Sequence, residues 1–441
     1  MNRTIYLVAG GFFLLPQLSQ AEAIKAPPAT RPPSEQAVSQ QQLDDLQADY
    51  ERRLSRIEKR LKETQKATRT KKANTFNPAI SLILNGTYAS YSNNPDDYYL
   101  PGFALGEEAG LATEGFSLDE SEMTLGASVD QLFYGQATFA LADTAGETSI
   151  ETEEAYFETL ALPQGLKLKA GRFYSAIGYI NEKHKHVWEF GDAPLVYRGM
   201  FGDQLKQDGA QLSWLLPTDT YFLVGGEAGN GVHYPSAGSH AGIGDWSAYI
   251  KTGGDIGLSH SWQLGLSHWQ ADDVQGRESQ GFDSPSFDGD SRIDGVDLVY
   301  KWAPQGNARQ QNLKIQAEYF QRKEAGLVTL NDTAQNSEYD GDQDGWYAQV
   351  VYQFIPQWRA GLRYDRMSSN NTGSNNAVLE QAGLLENGHT PQRSSLMLTW
   401  RPSEFSRIRA QFNRDDSTPD TDNQFFIQYT MVMGAHGAHS Y

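Results

Sequence analysis

The chain has 441 residues, with 36 Lys and Arg against 55 Asp and Glu, and it contains no cysteine. A net charge of −19 argues against a general nucleic-acid binder, which needs a basic footprint. The lack of thiols excludes disulfides, Cys–zinc sites, iron–sulfur clusters and a cysteine nucleophile, and a hydrophobic content of 39% excludes a bundle of transmembrane helices.

Met1 to Ala23 reads as a secretory signal. Arg3 gives the positive start, Ile5 to Leu15 the apolar centre, and Ala21-Glu22-Ala23 the small-x-small cleavage site. Residues 24–34 are proline-rich and suit a stiff, extended spacer. Residues 35–75 then lack glycine and proline. Leu43, Tyr50, Ile57 and Thr64 recur every seven residues, with Leu54 and Leu61 on the alternate seam position. That period predicts a helical coiled-coil stalk, and a helix with such a seam needs partners to bury it. The stretch Ile24 to Thr75 is net +5, which leaves −24 on residues 76–441.

From Phe76 a period of two replaces the helical pattern. Leu82, Leu84, Gly86 and Tyr88 alternate with Ser81, Ile83, Asn85 and Thr87. Trp358, Ala360, Leu362 and Tyr364 alternate with Arg359, Gly361, Arg363 and Asp365. Tight turns are expected near Gln131, 162–165, 217–219, 259–260, 303–304, 355–356 and 402–403. Long loops are expected near 92–115, 143–149, 177–206, 229–245, 271–291, 323–344, 368–392 and 414–422. Seven turns and eight loops give sixteen strands of about 10–13 residues, the length of a tilted crossing of hydrocarbon. The fold class is therefore all-β: a 16-stranded antiparallel transmembrane β-barrel over 76–441, preceded by the α-helical coiled-coil segment. Trp214, Trp262, Trp302, Trp346, Trp358 and Trp400 fit interfacial girdles, and Tyr441 supplies a terminal aromatic.

A barrel of this width leaves a lumen. An arginine facing lipid at mid-membrane would cost about 2–4 kcal/mol, so the charged register belongs inside. Glu120, Glu122, Glu154 and Glu158 then line one wall, and Arg359, Arg363, Arg407 and Arg409 another, setting a transverse field. The third loop, 177–206, is the longest and is rich in aromatics. It is expected to fold inward and narrow the lumen, with Glu182, Lys183, His184, Lys185, His186, Asp192 and Arg198 as constriction residues.

The run Gly165-Leu-Lys-Leu-Lys-Ala-Gly-Arg172-Phe173-Tyr-Ser-Ala-Ile-Gly178, followed by Asp208-Gly-Ala-Gln-Leu-Ser-Trp214, resembles the strand entering the third loop of the phosphate-selective porin superfamily. The resemblance implies a sixteen-stranded trimer that passes solutes passively. The N-terminal stalk resembles that of some sugar-specific porins. Phosphate specificity does not carry over, because that path needs lumenal Arg and Lys ladders and this barrel is acidic.

Other motifs are weaker. Asp340, Asp342 and Asp344 alternate like the start of a calcium loop, but Val351 occupies the twelfth position, where a bidentate Glu belongs. His184 with His186, and His436 with His439, lack a third ligand in the sequence. No Gly-x-Ser-x-Gly elbow or phosphate loop occurs, so no enzyme and no cofactor is expected. The reading is an outer-membrane porin that passes small hydrophilic solutes or ions. Its partners are membrane lipid, lipopolysaccharide, small solutes and further copies of itself as a homotrimer. The alternatives are a plugged structural barrel tethered through the stalk, and a porin for metal-ion uptake.

Overall fold

The computed structural model describes residues 78–434, apart from 107–108, 145–146, 239 and 281–283. The expected signal, spacer and stalk, the His436–His439 pair and Tyr441 lie outside the described residues. The strands are β1 (Ala79–Ser90), β2 (Gly115–Ser128), β3 (Phe133–Thr144), β4 (Glu147–Thr159), β5 (Leu166–Tyr174), β6 (Lys206–Leu215), β7 (Tyr221–Gly229) and β8 (Asp245–Ile256). There follow β9 (His260–Glu278), β10 (Pro285–Trp302), β11 (Asn312–Leu330), β12 (Gln335–Ile355), β13 (Trp358–Ser369), β14 (Thr372–Gly373), β15 (Gln392–Ser403), β16 (Ser406–Asp416) and β17 (Asp422–Gly434). β14 is a two-residue strand clipped beside β12, and β13 pairs directly with β15. Sixteen strands therefore form the ring. Every pairing is antiparallel, and β17 closes on β1 from Ser81↔Gly434 to Ser90↔Phe425. Closure leaves no open edge, the condition for putting backbone into lipid.

The period of two sorts the faces as the sequence predicts. Leu362, Leu396, Leu398, Phe412, Ile427 and Met433 are exposed on the outside, while Arg363, Ser395, Asn413 and Gln428 on the opposite register are buried. This greasy exterior suits hydrocarbon. All six tryptophans of the expected girdles sit on the outer register, and Trp358 stacks across the strand pair on Trp400, ring centroids 6.1 Å apart.

Three expected loops are corrected. Only residues 145–146 separate β3 from β4, and the stretches 271–291 and 323–344 are largely strand. β9 to β12 run to 19, 18, 19 and 21 residues, beyond the expected 10–13. The outer register of β12 shows why. Trp346, Ala348, Val350, Tyr352 and Phe354 span about nine residues, enough to cross hydrocarbon. Glu338, Asp340, Asp342 and Asp344 then continue the same register in acidic form. Backbone ladders do not depend on side-chain polarity, so the hairpins continue past the apolar belt. The calcium-loop reading ends here as well. On a strand, alternate residues lie roughly 7 Å apart, whereas one calcium ion would need all three carboxylates within about 2.5 Å of it. Asp342 instead lies 3.7 Å from Lys323 on the neighbouring strand.

The apolar core lies inside the cylinder. Trp269, Phe320, Tyr347 and Met367 point inward from the wall. They meet Phe103 and Leu105 from the first loop, Ile177, Tyr197, Met200 and Phe201 from the third, and Val378 and Leu379 from the seventh. Part of the interior is thus packed rather than solvated. Two short helices, α1 (Leu195–Phe201) and α2 (Asn376–Gln381), carry much of this packing.

Candidate functional site

β5 ends at Tyr174 and β6 begins at Lys206. The base of the intervening segment is shut by one side chain. Asn181 Nδ2 donates to the carbonyls of Ser175 (2.8 Å) and Leu205 (2.9 Å), and Asn181 Oδ1 accepts from Leu205 N at 2.8 Å. Gly178 lies at φ +64, where a Cβ would strike Glu318 and the Tyr197 hydroxyl. Two wall carboxylates hold the entry. Glu227 on β7 accepts from Ala176 N (2.8 Å) and from the Ser175 hydroxyl. Glu318 on β11 accepts from Tyr179 N and the Tyr197 hydroxyl, both at 2.8 Å, and from Ile180 N at 3.3 Å. The segment's partners continue round the ring on β2, β4, β8, β13, β15, β16 and β17. A segment outside the cylinder could not reach them, so it lies within.

On the basic wall the segment supplies the counter-ions. Asp192 accepts from Arg363 Nη2 (2.7 Å), Gln411 Nε2 (2.7 Å) and Asn413 Nδ2 (2.8 Å), and lies 3.0 Å from Arg393 Nη1. Glu189 lies 3.5 Å from Arg359 Nη1 and 3.9 Å from Lys314 Nζ. Arg409 donates to Trp188 O at 2.5 Å and to Gln428 Oε1 at 2.8 Å. Arg407, nearer the turn, donates to Thr430 Oγ1 at 3.1 Å.

Burial alone would raise the Asp192 carboxyl. Arg363, Arg393 and Arg198 outweigh it and hold the group well below the usual carboxylate range. Glu189 is likewise penalised by burial, but Lys314, Arg359, Arg401 and Arg409 bring it down to about 2. A depressed carboxylate contributes stability that is fully present above its unfolded value, here 3.8 and 4.5, and lost as pH falls through the folded value. The seating of residues 188–193 is therefore expected to be unchanged from neutral pH to about pH 5, to weaken progressively below that, and to fail as pH approaches 2. Hydrogen exchange of these amides across that range checks it; protection lost by pH 5 would contradict it.

The sector beyond β17 and β1 is acidic. One extra residue in β2 between the partners of Ile83 and Asn85, and one in β4 between the partners of Thr138 and Phe139, interrupt strict alternation. These bulges turn Glu120 and Glu122, and Glu153 and Glu154, toward the same place. Lys185 Nζ lies 3.1 Å from Glu120 and 3.4 Å from Asp203. His184 Nδ1 lies 3.1 Å from Glu122 and 3.2 Å from Glu153, and its Nε2 lies 2.9 Å from Glu154. His186 Nδ1 is 2.7 Å from Glu122. Glu182 pairs with Lys251 on β8 at 3.1 Å, and Lys183 sits over the Tyr179 ring. Arg198, on α1, lies over Tyr98 and 3.9 Å from Asp203. Glu158 stands apart near the turn, paired with Lys167 at 3.1 Å.

Most of the sequence-predicted residues thus fall into an acidic sector on β2 and β4 and a basic sector on β13 and β16, parted on one side only by β17 and β1, while Glu158 and Glu182 stand apart. Sequence reasoning missed Glu153, Glu189, Glu227, Glu318 and Arg393, and placed Asp365 on the inward register without naming it as a site residue. The inward register of their strands places Glu227, Glu318 and Arg393, so alternation could have found them. Glu153 needed knowledge of the bulge, and Glu189 of the segment's path.

The ring and its inner segment define a class, the porin fold. The barrel is similar to OmpT of Vibrio cholerae, an outer-membrane protein. Its loop L8 deletion mutant gives a TM-score of 0.51 at 13% identity, covering 81% of this chain and 99% of that one. The in-vitro folded trimer form gives 0.50 at 11% identity with the same coverages. An anion-selective porin from Comamonas acidovorans gives 0.50 at 9% identity, again over 81% and 99%. No protein-family model matches the chain. The chain belongs to the family of an uncharacterized protein of Aquifex aeolicus (strain VF5), to which it is 31% identical over 415 residues, 88% of this chain and 84% of the relative.

Proposed function

We propose that this chain is an outer-membrane porin that lets small hydrophilic solutes or ions diffuse passively, with residues 177–206 narrowing the passage. The observation that carries the reading is the inner segment itself. It is stapled to a basic wall through Asp192 and Glu189 and to an acidic wall through His184, Lys185 and His186. Charged side chains set around a narrowing are how pores sort ions. One fold neighbour is an anion-selective porin and another forms a trimer, which supports passage of ions and a homotrimer. The run that resembles phosphate-selective porins covers β5 and β6, and there Arg172 forms a two-pronged pair with Asp208 at 2.7 and 2.8 Å. The signal at 1–23, the spacer at 24–34 and a periplasmic coiled-coil stalk at 35–75 complete the proposal, with lipid and lipopolysaccharide around the barrel.

The apolar cluster inside the cylinder favours a second reading, a plugged structural barrel tethered through the stalk. Planar-bilayer recording separates the two. The porin is expected to give discrete steps, mild cation preference in a salt gradient from its acidic excess, and larger steps once residues 177–206 are deleted. Unchanged steps in the deletion variant would remove the narrowing role. A folded but silent wild-type barrel would favour the plug.

A further inference from the structure

We propose that Glu122, Glu153, His184 and His186 form a site for a resident transition-metal dication, with Zn²⁺ as its reference ion, fastening the inner segment to β2 and β4. One ligand atom from each of Glu122, His184 and His186 lies within 4.8 Å of the others. Donors around a tetrahedral zinc at about 2.0–2.2 Å stand roughly 3.3 Å from one another. His184 Nδ1 lies 3.1 Å from Glu122 Oε2 and 3.2 Å from Glu153 Oε2, and His186 Nδ1 lies 2.7 Å from Glu122 Oε1, so the donors already converge and the two imidazoles draw together on the Glu122 carboxylate when an ion enters.

A second, independent feature is the outer support. Metal-bound imidazoles characteristically give their other nitrogen to a carboxylate, which fixes tautomer and ring plane. His184 Nε2 has Glu154 Oε2 at 2.9 Å. Glu153 is supported too: the Tyr174 hydroxyl donates to its Oε1 at 3.0 Å, leaving Oε2 toward His184. The two imidazoles are stacked, centroids 5.6 Å apart.

Charge points the same way. Glu120, Glu122, Glu153 and Glu154 converge in a nearly closed place where Lys185 is the lysine at hand. Buried carboxylates in excess call for a compensating cation. Imidazole nitrogen with carboxylate oxygen and no thiolate suits Zn²⁺ and its neighbours rather than Ca²⁺, Mg²⁺ or Cu(I). The Glu122 side chain is 1% exposed and that of His186 5%, so the ion is a fixture of the wall rather than cargo. The sequence showed a two-histidine pair without a third ligand; the bulges in β2 and β4 supply it.

The site requires the closed barrel and its seated segment but not conduction, so zinc content and bilayer conductance report separately. Full-length protein in detergent, stripped with a chelator and dialysed against micromolar Zn²⁺, is expected to retain about one zinc per chain. His184→Ala combined with His186→Ala, and Glu122→Gln alone, should each bring this to background, while Glu338→Gln on the outer face of β12 leaves it unchanged. X-ray absorption on the wild-type protein should show a nitrogen/oxygen shell at about 2.0 Å with imidazole outer-shell scattering. This second measurement decides the matter if the variants fail to fold. Wild-type protein that retains no zinc, zinc kept by the double histidine variant, or a shell without imidazole would each overturn the proposal.

Discussion

Asp192→Ala is expected to raise single-channel conductance and to lower the unfolding temperature of the barrel in detergent. Asp192 carries the counter-charge for Arg363 and Arg393 and also accepts from Gln411 and Asn413. Asp365 lies 3.0 Å from Arg363 and 3.6 Å from Arg393, so one carboxylate would remain for two buried guanidiniums. Breaking a buried pair by deleting one partner typically costs about 3–5 kcal/mol, because the surviving charge keeps its desolvation penalty. The guanidiniums are expected to escape by drawing in water, which loosens residues 188–193 from β13, β15 and β16. Asp192→Asn retains part of the hydrogen bonding and should fall between wild type and alanine. Equal conductance and equal thermal stability in the alanine variant would show that the basic wall holds its charges without help from the segment.

The second large effect is expected at Glu318. Its carboxylate accepts from Tyr179 N, Ile180 N, the Tyr197 hydroxyl, Gln316 Nε2 and the Tyr347 hydroxyl. Truncation to alanine leaves those donors in a place that water does not freely reach. Each orphaned buried donor costs about 1–3 kcal/mol, so a total above ~3 kcal/mol is expected even after some donors re-pair. Glu318→Gln keeps an acceptor oxygen but puts an NH₂ against hydroxyl and amide donors, and should recover only part of the loss. Chemical unfolding of the detergent-solubilised barrel gives the number. A loss below ~1 kcal/mol would mean that the segment's entry is held elsewhere, by Glu227 and Asn181.

How much of this was legible in the sequence depends on the rule each feature obeys. The ring obeys a period of two, and that period survives any change in side-chain chemistry, so the strand number and the inward placement of Arg359, Arg363 and Arg409 could be read directly. The lengths of β9 to β12 could not. Polar residues such as Asp340 and Asp342 continue a strand above the lipid, yet their composition is that of a loop. Bulges shift the register by one residue for reasons spread over two strands, so Glu153 was invisible to alternation. The inward Trp269, Phe320, Tyr347 and Met367 were missed for a further reason. Alternation tells which way a side chain points, but not whether it meets water or another part of the same chain.

The seam between β1 and β17 has a consequence for assembly. It joins the two ends of the wall, the pairing with the longest reach along the chain. β17 brings Gln428 to it, and that amide donates to Asp119 Oδ2 at 2.8 Å and to Gly191 O at 3.3 Å while accepting from Arg409. Gly191 belongs to the inner segment. Closing the last strand around an unseated segment would leave that amide without one of its partners, so the seam and the seated interior support each other. The cylinder is sewn shut over contents that help draw the thread.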